Sequence, residues 1–240
     1  MNIRLKNLIK KTLKNIEKIK RATLFPYKFF YRIKFGGLIN LNIGGGPGVY
    51  TEGWKILDYK GVNWGEGKKL YDINWDIRRG IPLFDFSCKY IYCSHFLEHL
   101  NWYEGNEFLA ECYRVLITGG KIRILVPDGD CFIKKFMEKN ESFFRNPDYC
   151  FNHWLGNITD TFLWNILGAY YSRKRGFDRH AMFYNYENLS YRLKNLGFKN
   201  IAQSEFNTSK EAVFTEEKKF FPKELNRYFG ENNLIIEAEK

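Results

Sequence analysis

The chain has no uninterrupted apolar run of the ~20 residues that span a bilayer. Its first residues also lack the apolar segment that follows the charged start of a secretory signal. The five cysteines are an odd number, form no Cys-x-x-Cys pair and have no histidines at the spacing of a zinc site. These absences argue against a membrane-spanning protein, a disulfide framework and a structural metal site. We therefore expect a cytoplasmic protein with reduced thiols that needs no metal.

Excess basic charge is scarce outside the N-terminal segment. The 240 residues have a net charge of +11, and residues 1–35 account for +10 of it, with eleven Lys or Arg side chains and one acid, Glu17. The remaining residues contain nearly equal numbers of basic and acidic side chains. We interpret residues 1–36 as a basic arm on a nearly neutral domain, residues 37–240. A neutral domain makes nucleic acid a less expected partner.

The arm has the pattern of an amphipathic helix that is predicted to end at Pro26. Two interpretations stay open. The arm either lies on an anionic membrane surface, as no part of the main fold, or packs across the domain with a solvated lysine face. The apolar positions at helical spacing are Leu5, Leu8, Ile9, Leu13, Ile16 and Ile19.

Short apolar runs alternate with helical patterns in the rest of the chain. Strands are predicted at residues 38–43, 54–57, 70–76, 90–93, 121–126, 198–206 and 234–238. Helices are predicted at residues 106–116, 131–139, 159–170 and 187–196, the first of them ended by Gly119 and Gly120. This order predicts an α/β fold of the Rossmann-like kind. Its sheet is mostly parallel and seven-stranded, with an antiparallel edge strand and helices on both faces.

Glycine and acidic residues follow the predicted strands, at the edge where open α/β sheets bind ligands. Gly44–Gly46 come after the first strand and allow a ligand to approach the backbone closely. Asp58 ends the second strand, where a carboxylate can accept both hydroxyls of a ribose. Asp76 follows the third strand and can meet an adenine amino group, while the apolar Ile77 covers the ring. These strand ends predict an adenosine site.

No phosphate-binding element accompanies the predicted site. The glycine run is not followed by the glycine-containing helix start of a dinucleotide site, and the chain has no Walker lysine. An adenosine site without a phosphate cradle favours S-adenosylmethionine over NAD or ATP.

The order and spacing of these segments resemble the class I S-adenosylmethionine-dependent methyltransferases, and among them the small enzymes encoded with surface-polysaccharide genes. The similar segments lie within residues 38–128 and 180–240 and are Leu41–Gly46, Gly53–Asp58, Asp76–Leu83, Ser94–Leu100, Arg114–Gly120, Ile124–Asp128 and Leu189–Phe198. The resemblance implies S-adenosylmethionine as cofactor, bound by Asn42, Gly44, Gly45, Gly46, Asp58, Asp76, Ile77, Ser94 and His95. The chain departs from the family at Asn42, where the family usually has an acid that organises the loop.

Methyl transfer to an oxygen needs a base, and the four histidines are the candidates. The resemblance places His95 at the substrate side of the cofactor pocket, with packing beside the adenosine as the alternative role. His180 lies in a polar loop that matches a histidine-bearing segment of the family. We expect His180 to be slightly ahead of His95 as the base, with a solvated loop residue as the alternative. His99 and His153 are expected to be structural.

These observations predict an enzyme that uses S-adenosylmethionine to O-methylate a sugar or sugar-linked group. The acceptor is inferred from the resemblance alone. It would be a surface glycan or its nucleotide-sugar or lipid-linked precursor. The aromatic segment 131–178 suits a variable lid or acceptor region, because aromatic faces stack on sugar rings; an ordinary core is the alternative. Two other functions stay open: an RNA methyltransferase that uses the basic arm, and a non-catalytic adenosine-fold binding protein.

Overall fold

A computed structural model describes residue 12 and residues 22–45, 52–59, 71–146, 154–167, 180–215 and 232–240. In this part of the chain the helices are α1 (residues 22–35), α2 (Trp102–Val115), α3 (Gly129–Met137), α4 (Glu141–Arg145), α5 (Ile158–Leu167) and α6 (Tyr186–Asn195). The strands are β1 (Ile39–Ile43), β2 (Trp54–Asp58), β3 (Ile73–Asn74), β4 (Cys88–Ser94), β5 (Leu116–Pro127), β6 (Lys199–Ser204) and β7 (Asn233–Glu239). Short 3-10 turns cover Ile77–Arg79, Leu97–His99 and Ala212–Phe214.

The strands form one seven-stranded sheet in the order β3-β2-β1-β4-β5-β7-β6. Strands β1 to β5 pair in parallel, and β7 runs antiparallel to both of its neighbours, β5 and β6. The predicted fold is therefore confirmed: a Rossmann-like, mostly parallel sheet whose antiparallel pairing lies at one edge. Most residues of β1 and β4 are buried on both faces of the sheet, as is usual for parallel strands.

One face of the sheet carries the larger core. Residues of α1, α2 and α6 pack there against alternate residues of the strands, such as Ile91, Cys93 and Ile124. On the other face, Phe214 of the last 3-10 turn packs among Tyr92 and Leu125. No helix in the described part of the chain is both long and apolar enough to cross a bilayer.

A buried arginine joins the antiparallel edge to the parallel part of the sheet. Arg123 of β5 has no solvent-exposed surface and forms an ion pair with Glu237 of β7. Its guanidinium also donates hydrogen bonds to Ser204 Oγ at 3.1 Å and to the carbonyl oxygens of Thr208 and Glu205 at 3.0 and 2.7 Å. A buried charge with this many partners is stable, whereas removal of one partner would leave the charge uncompensated.

The predicted helix end at Gly119 and Gly120 is wrong. Helix α2 already ends at Val115, and both glycines lie within β5. The pairing register between β4 and β5 shifts beside these glycines, where Gly119 has a φ of 75°. Gly119 N donates to the carbonyl of Lys240, and Lys240 N donates to that of Gly120. The glycines therefore allow an irregular backbone conformation within a strand, and they do not cap a helix.

The predicted helix end at Pro26 is also wrong, because α1 continues through it. Leu24 and Tyr31 on one side of α1 are buried in the larger core. The ring of Tyr27 lies 4.6 Å from that of Trp75, and Lys34 Nζ donates to the carbonyl of Asp72 at 3.0 Å. This packing outweighs the loss of one backbone hydrogen bond at the proline. Residues 22–35 are therefore packed on the domain.

The apolar stripe proposed for the first part of the arm lies outside the described residues. So do Gly46, His153 and much of the aromatic segment between α4 and α6. In the described part of that segment, α3, α4 and α5 share a separate aromatic cluster built on Phe132, Phe143 and Phe144. The rings of Phe136 and Phe162 stack at 4.3 Å within it. The sequence did not predict α4, which is only five residues long.

Candidate active site

The register of the sheet brings the predicted strand-end residues side by side. Ile43 is paired with Leu57 of β2 and with Cys93 of β4, so Gly44, Asp58 and Ser94 follow at the same edge. Asp58 is in turn paired with Asn74 of β3, two residues before Asp76. This is the carboxyl edge of the parallel strands, where folds of this kind bind ligands.

The loop after β1 requires glycine at two positions. Gly44 has a φ of 70°, its N–H donates to the carbonyl of Leu57, and a Cβ there would lie 2.6 Å from the ring of Phe96. A Cβ on Gly45 would lie 2.8 Å from Nδ2 of Asn42, which is itself 2% exposed. Asn42 thus lies against the loop backbone, in the place where the family resemblance implies an organising acid. Bare backbone of this kind can be approached closely by a ligand.

The two strand-end acids have different surroundings. Asp58 is half-buried, and its Oδ1 accepts a hydrogen bond from the N–H of Tyr59 at 2.6 Å. Both oxygens of Asp76 are bound by the guanidinium of Arg78, at 2.9 and 2.6 Å. The hydrogen bond from Arg78 lowers the pKa of Asp76, so this group is a carboxylate. An adenine amino group would therefore share Asp76 with Arg78, while Ile77 beside it is buried.

Histidines and a buried glutamate gather next to these strand ends. Ser94 is buried, and its Oγ has no hydrogen-bond partner among the described residues. His95 follows it with a φ of 48°, a left-handed conformation that is uncommon outside glycine. Its Nδ1 lies 3.3 Å from Oε1 of Glu98, which is 1% exposed. The sequence analysis did not single out Glu98, although its spacing from His95 places the two one turn apart.

The surroundings of Glu98 keep it ionised. Burial alone would raise its pKa, but the hydrogen bond with His95 and the charges of His99, His95 and His180 together lower it to about 2. The backbone carbonyl of Glu98 also accepts hydrogen bonds from Ala181 N at 2.7 Å and from Met182 N at 3.1 Å. These bonds hold the His180 loop against the residues that follow β4.

His180 is more enclosed than a solvated loop residue. Its Nδ1 lies 3.0 Å from the carbonyl oxygen of Asn165 in α5, and its ring centroid lies 5.2 Å from that of His99. Burial lowers the pKa of His180 to about 4, so it is neutral near pH 7. A small pocket lies at this place, lined among others by Glu98, Pro127, Phe132, Asn165, His180 and Tyr184.

Residues 41–124, which form the strand-end site up to β5, match a protein family described as a methyltransferase domain. The match covers this part of the chain only. The protein is therefore an enzyme that transfers a methyl group, and its strand-end residues fit S-adenosylmethionine as the methyl donor. The glycine loop offers backbone without Cβ atoms, and Asp58 and Asp76 offer carboxylates at the same edge of the sheet. A search of curated protein sequences found no match.

Several solved structures are similar to this one at low identity. An S-adenosylmethionine-dependent methyltransferase from Archaeoglobus fulgidus is 19% identical over 92% of this chain and 94% of its own, with a TM-score of 0.49. One from Mesorhizobium loti is 15% identical over 85% and 91%, with a TM-score of 0.45. Human N-acetylserotonin methyltransferase, solved with S-adenosylmethionine, is 10% identical over 84% of this chain and 47% of its own, with a TM-score of 0.46. No residue role follows from these likenesses.

Proposed function

We propose that the methyltransferase transfers the methyl group of S-adenosylmethionine to a hydroxyl of a sugar or sugar-linked group. The acceptor belongs to a surface glycan or to its nucleotide-sugar or lipid-linked precursor. The observation that carries the proposal is the group of His95, Glu98 and His180 beside a pocket that adjoins the cofactor edge. A hydroxyl needs a base at this position, whereas an acceptor that is already an anion needs none. The sugar itself is proposed from the resemblance to surface-polysaccharide enzymes.

Each part of the cofactor has a candidate partner at the strand ends. The backbone of Gly44–Gly46 receives the methionine part, Asp58 the ribose hydroxyls, and Asp76 with Ile77 the adenine. Ser94 and His95 line the side that faces the acceptor. When bound, the sulfonium supplies an electrophilic methyl group, and the protein has mainly to align the two reactants and exclude water.

His95 is the better placed of the two candidate bases. Its ring is partly exposed at the strand end, and Glu98 binds Nδ1, which orients the ring and stabilises its charged form after proton transfer. His180 is half-buried, and burial lowers its pKa to about 4, which makes it a weak base near pH 7. We therefore place His95 first and give His180 a positioning role. This order reverses the sequence-based expectation.

The outer side of α1 suits an anionic membrane surface, and a lipid-linked acceptor would be found there. Phe25, Phe29 and Ile33, spaced by one turn, and the adjacent Phe30 are all more than half exposed. They lie opposite the side that Leu24 and Tyr31 bury in the domain. Arg32 on α1 and the basic residues before it add the attraction to anionic lipid, at about 1 kcal/mol for each charge near the surface. We propose that the enzyme is peripherally bound to the inner face of the membrane.

Methyl transfer from labelled S-adenosylmethionine into fractionated cell extracts tests the acceptor. The purified enzyme is incubated with glycolipid, nucleotide-sugar and RNA pools, and the label in each pool is counted. We expect label in a sugar-containing pool that acid hydrolysis releases as a methylated sugar. Label confined to RNA would instead assign the basic arm a role in RNA binding. Binding of the cofactor without label in any pool would favour a non-catalytic adenosine-binding protein.

A further inference from the structure

We propose that Glu98, His99 and His180 form a binding site for one divalent transition-metal ion, with zinc as the best fit. One ligand atom from each of the three side chains lies within 4.8 Å of the other two. Ligands around tetrahedral zinc are about 2.0–2.2 Å from the ion, hence about 3.3 Å from each other. Small rotations of the side chains would bring the three atoms to that spacing. Two histidines and one glutamate are a ligand set that zinc sites use, with a further position open.

The two carboxylate oxygens of Glu98 have different surroundings. Oε1 lies within hydrogen-bond distance of His95 Nδ1, while Oε2 is buried with no hydrogen-bond partner in the described part of the chain. A buried carboxylate oxygen that accepts no hydrogen bond is costly, and a bound cation removes that cost. Glu98 is 1% exposed, so bulk solvent does not reach this oxygen.

His180 is arranged as a metal ligand usually is. The carbonyl oxygen of Asn165 can only accept a hydrogen bond, so the proton of the neutral ring lies on Nδ1, 3.0 Å away. Nε2 then carries the lone pair that binds a metal. Histidine ligands commonly donate their other ring N–H to a backbone carbonyl in this way, which fixes the tautomer and the ring orientation.

The fold brings the third ligand to the other two by backbone hydrogen bonds. His99 adjoins Glu98 in sequence, and His180 is held to them because Ala181 N and Met182 N both donate to the carbonyl of Glu98. The small pocket lined by Glu98, His180 and Pro127 lies beside the proposed ion. There the ion would bind the acceptor hydroxyl and lower its pKa, a role that rests on the proposed function. His95, outside the ligand set, stays available as the base.

Isothermal titration of the full chain with zinc chloride, after removal of metals with a chelator, tests the site. We expect about one equivalent of zinc to bind to the parent. His99→Ala should weaken binding at least tenfold, because it removes a half-exposed ligand without opening the core. The matched control is Glu107→Gln, an exposed carboxylate on α2 that is not in the ligand set, and it should bind zinc like the parent.

A second measurement does not depend on any variant. Cobalt bound to the parent should give the intense visible absorption of a four- or five-coordinate site with nitrogen ligands. Absence of zinc binding, a weak six-coordinate cobalt spectrum, or equal zinc affinity in His99→Ala and the parent would each overturn the metal site. Binding of S-adenosylmethionine is titrated in the same samples. Its loss with zinc binding intact would contradict the proposed function and leave the metal site standing.

Discussion

The residues of the cofactor loop are held by close contacts on two sides. Gly44 has a φ of 70°, a conformation that other residues rarely adopt. The ring of Phe96 also occupies the space that a Cβ at this position would need. At Gly45 the limiting contact is with Asn42. Together these contacts fix the path of the backbone where it leaves β1. We propose that a loop fixed in this way is ready for the cofactor before it binds.

Gly44→Ala should lower the free energy of unfolding more than Gly53→Ala does. Gly53 has a φ of 80°, but no described residue lies within 4 Å of the position that its Cβ would take, so its substitution carries only the backbone cost of about 1–2 kcal/mol. Gly44→Ala adds overpacking against Phe96, at about 1–3 kcal/mol more. Urea unfolding of both variants and the parent measures the difference. Equal losses in the two variants would mean that Phe96 moves aside freely.

His95→Ala should reduce turnover by about 10²–10⁴, the usual effect of removing a general base. His180→Ala should reduce turnover less, because burial lowers the pKa of its ring to about 4. Turnover is measured with a saturating acceptor, and cofactor affinity is titrated separately to show that the site has stayed folded. If turnover in His95→Ala stays within tenfold of the parent, the base is another group or the acceptor is already an anion.

Among the elements, α1 has apolar side chains on two opposite sides. One side is used by the core, and the other, with Phe29 and Ile33, is exposed. Exposed apolar side chains that gather on one helix, next to basic residues, are typical of helices that lie in a membrane interface.

The double variant Phe29→Ser and Ile33→Ser should bind anionic vesicles roughly tenfold or more weakly than the parent. Each apolar side chain of this size gains about 1.5–3 kcal/mol when fully buried, and even partial insertion of two exceeds the roughly 1.4 kcal/mol of a tenfold change. Co-sedimentation with vesicles of phosphatidylglycerol and phosphatidylcholine measures it, with Tyr191→Ser on α6 as the exposed aromatic control. A parent that stays in the supernatant with these vesicles at low salt would contradict the membrane proposal.

The types and order of most elements follow from local patterns, because apolar runs and helical spacing are properties of neighbouring residues. The failures have tertiary causes. Proline was expected to end the first helix, but packing of Leu24 and Tyr31 on the domain outweighs its local effect. The pair Gly119 and Gly120 was expected to cap a helix, but it lies in a strand whose partner, β7, comes from the end of the chain.

At the scale of the whole molecule, the sheet explains which parts of the site could be predicted. Parallel strands end at one edge, so Gly44, Asp58, Asp76 and Ser94 could be placed together from the strand pattern alone. The part formed by Glu98 and His180 could not be predicted, because it depends on contacts between the segment after β4 and a loop more than eighty residues later. The contact between the rings of His99 and His180 could not be predicted for the same reason, because the two residues are far apart in sequence.

Titration of the purified chain with S-adenosylmethionine and S-adenosylhomocysteine tests the central claim most directly, with NAD and ATP as competing ligands. We predict that both sulfur compounds bind and that NAD and ATP do not. Asp58→Ala should lose about 2–4 kcal/mol of binding free energy, because one carboxylate accepts both ribose hydroxyls. Asp85→Ala, which removes an exposed carboxylate before β4, should bind like the parent. No binding of S-adenosylmethionine by the parent, or unchanged affinity in Asp58→Ala, would contradict the account.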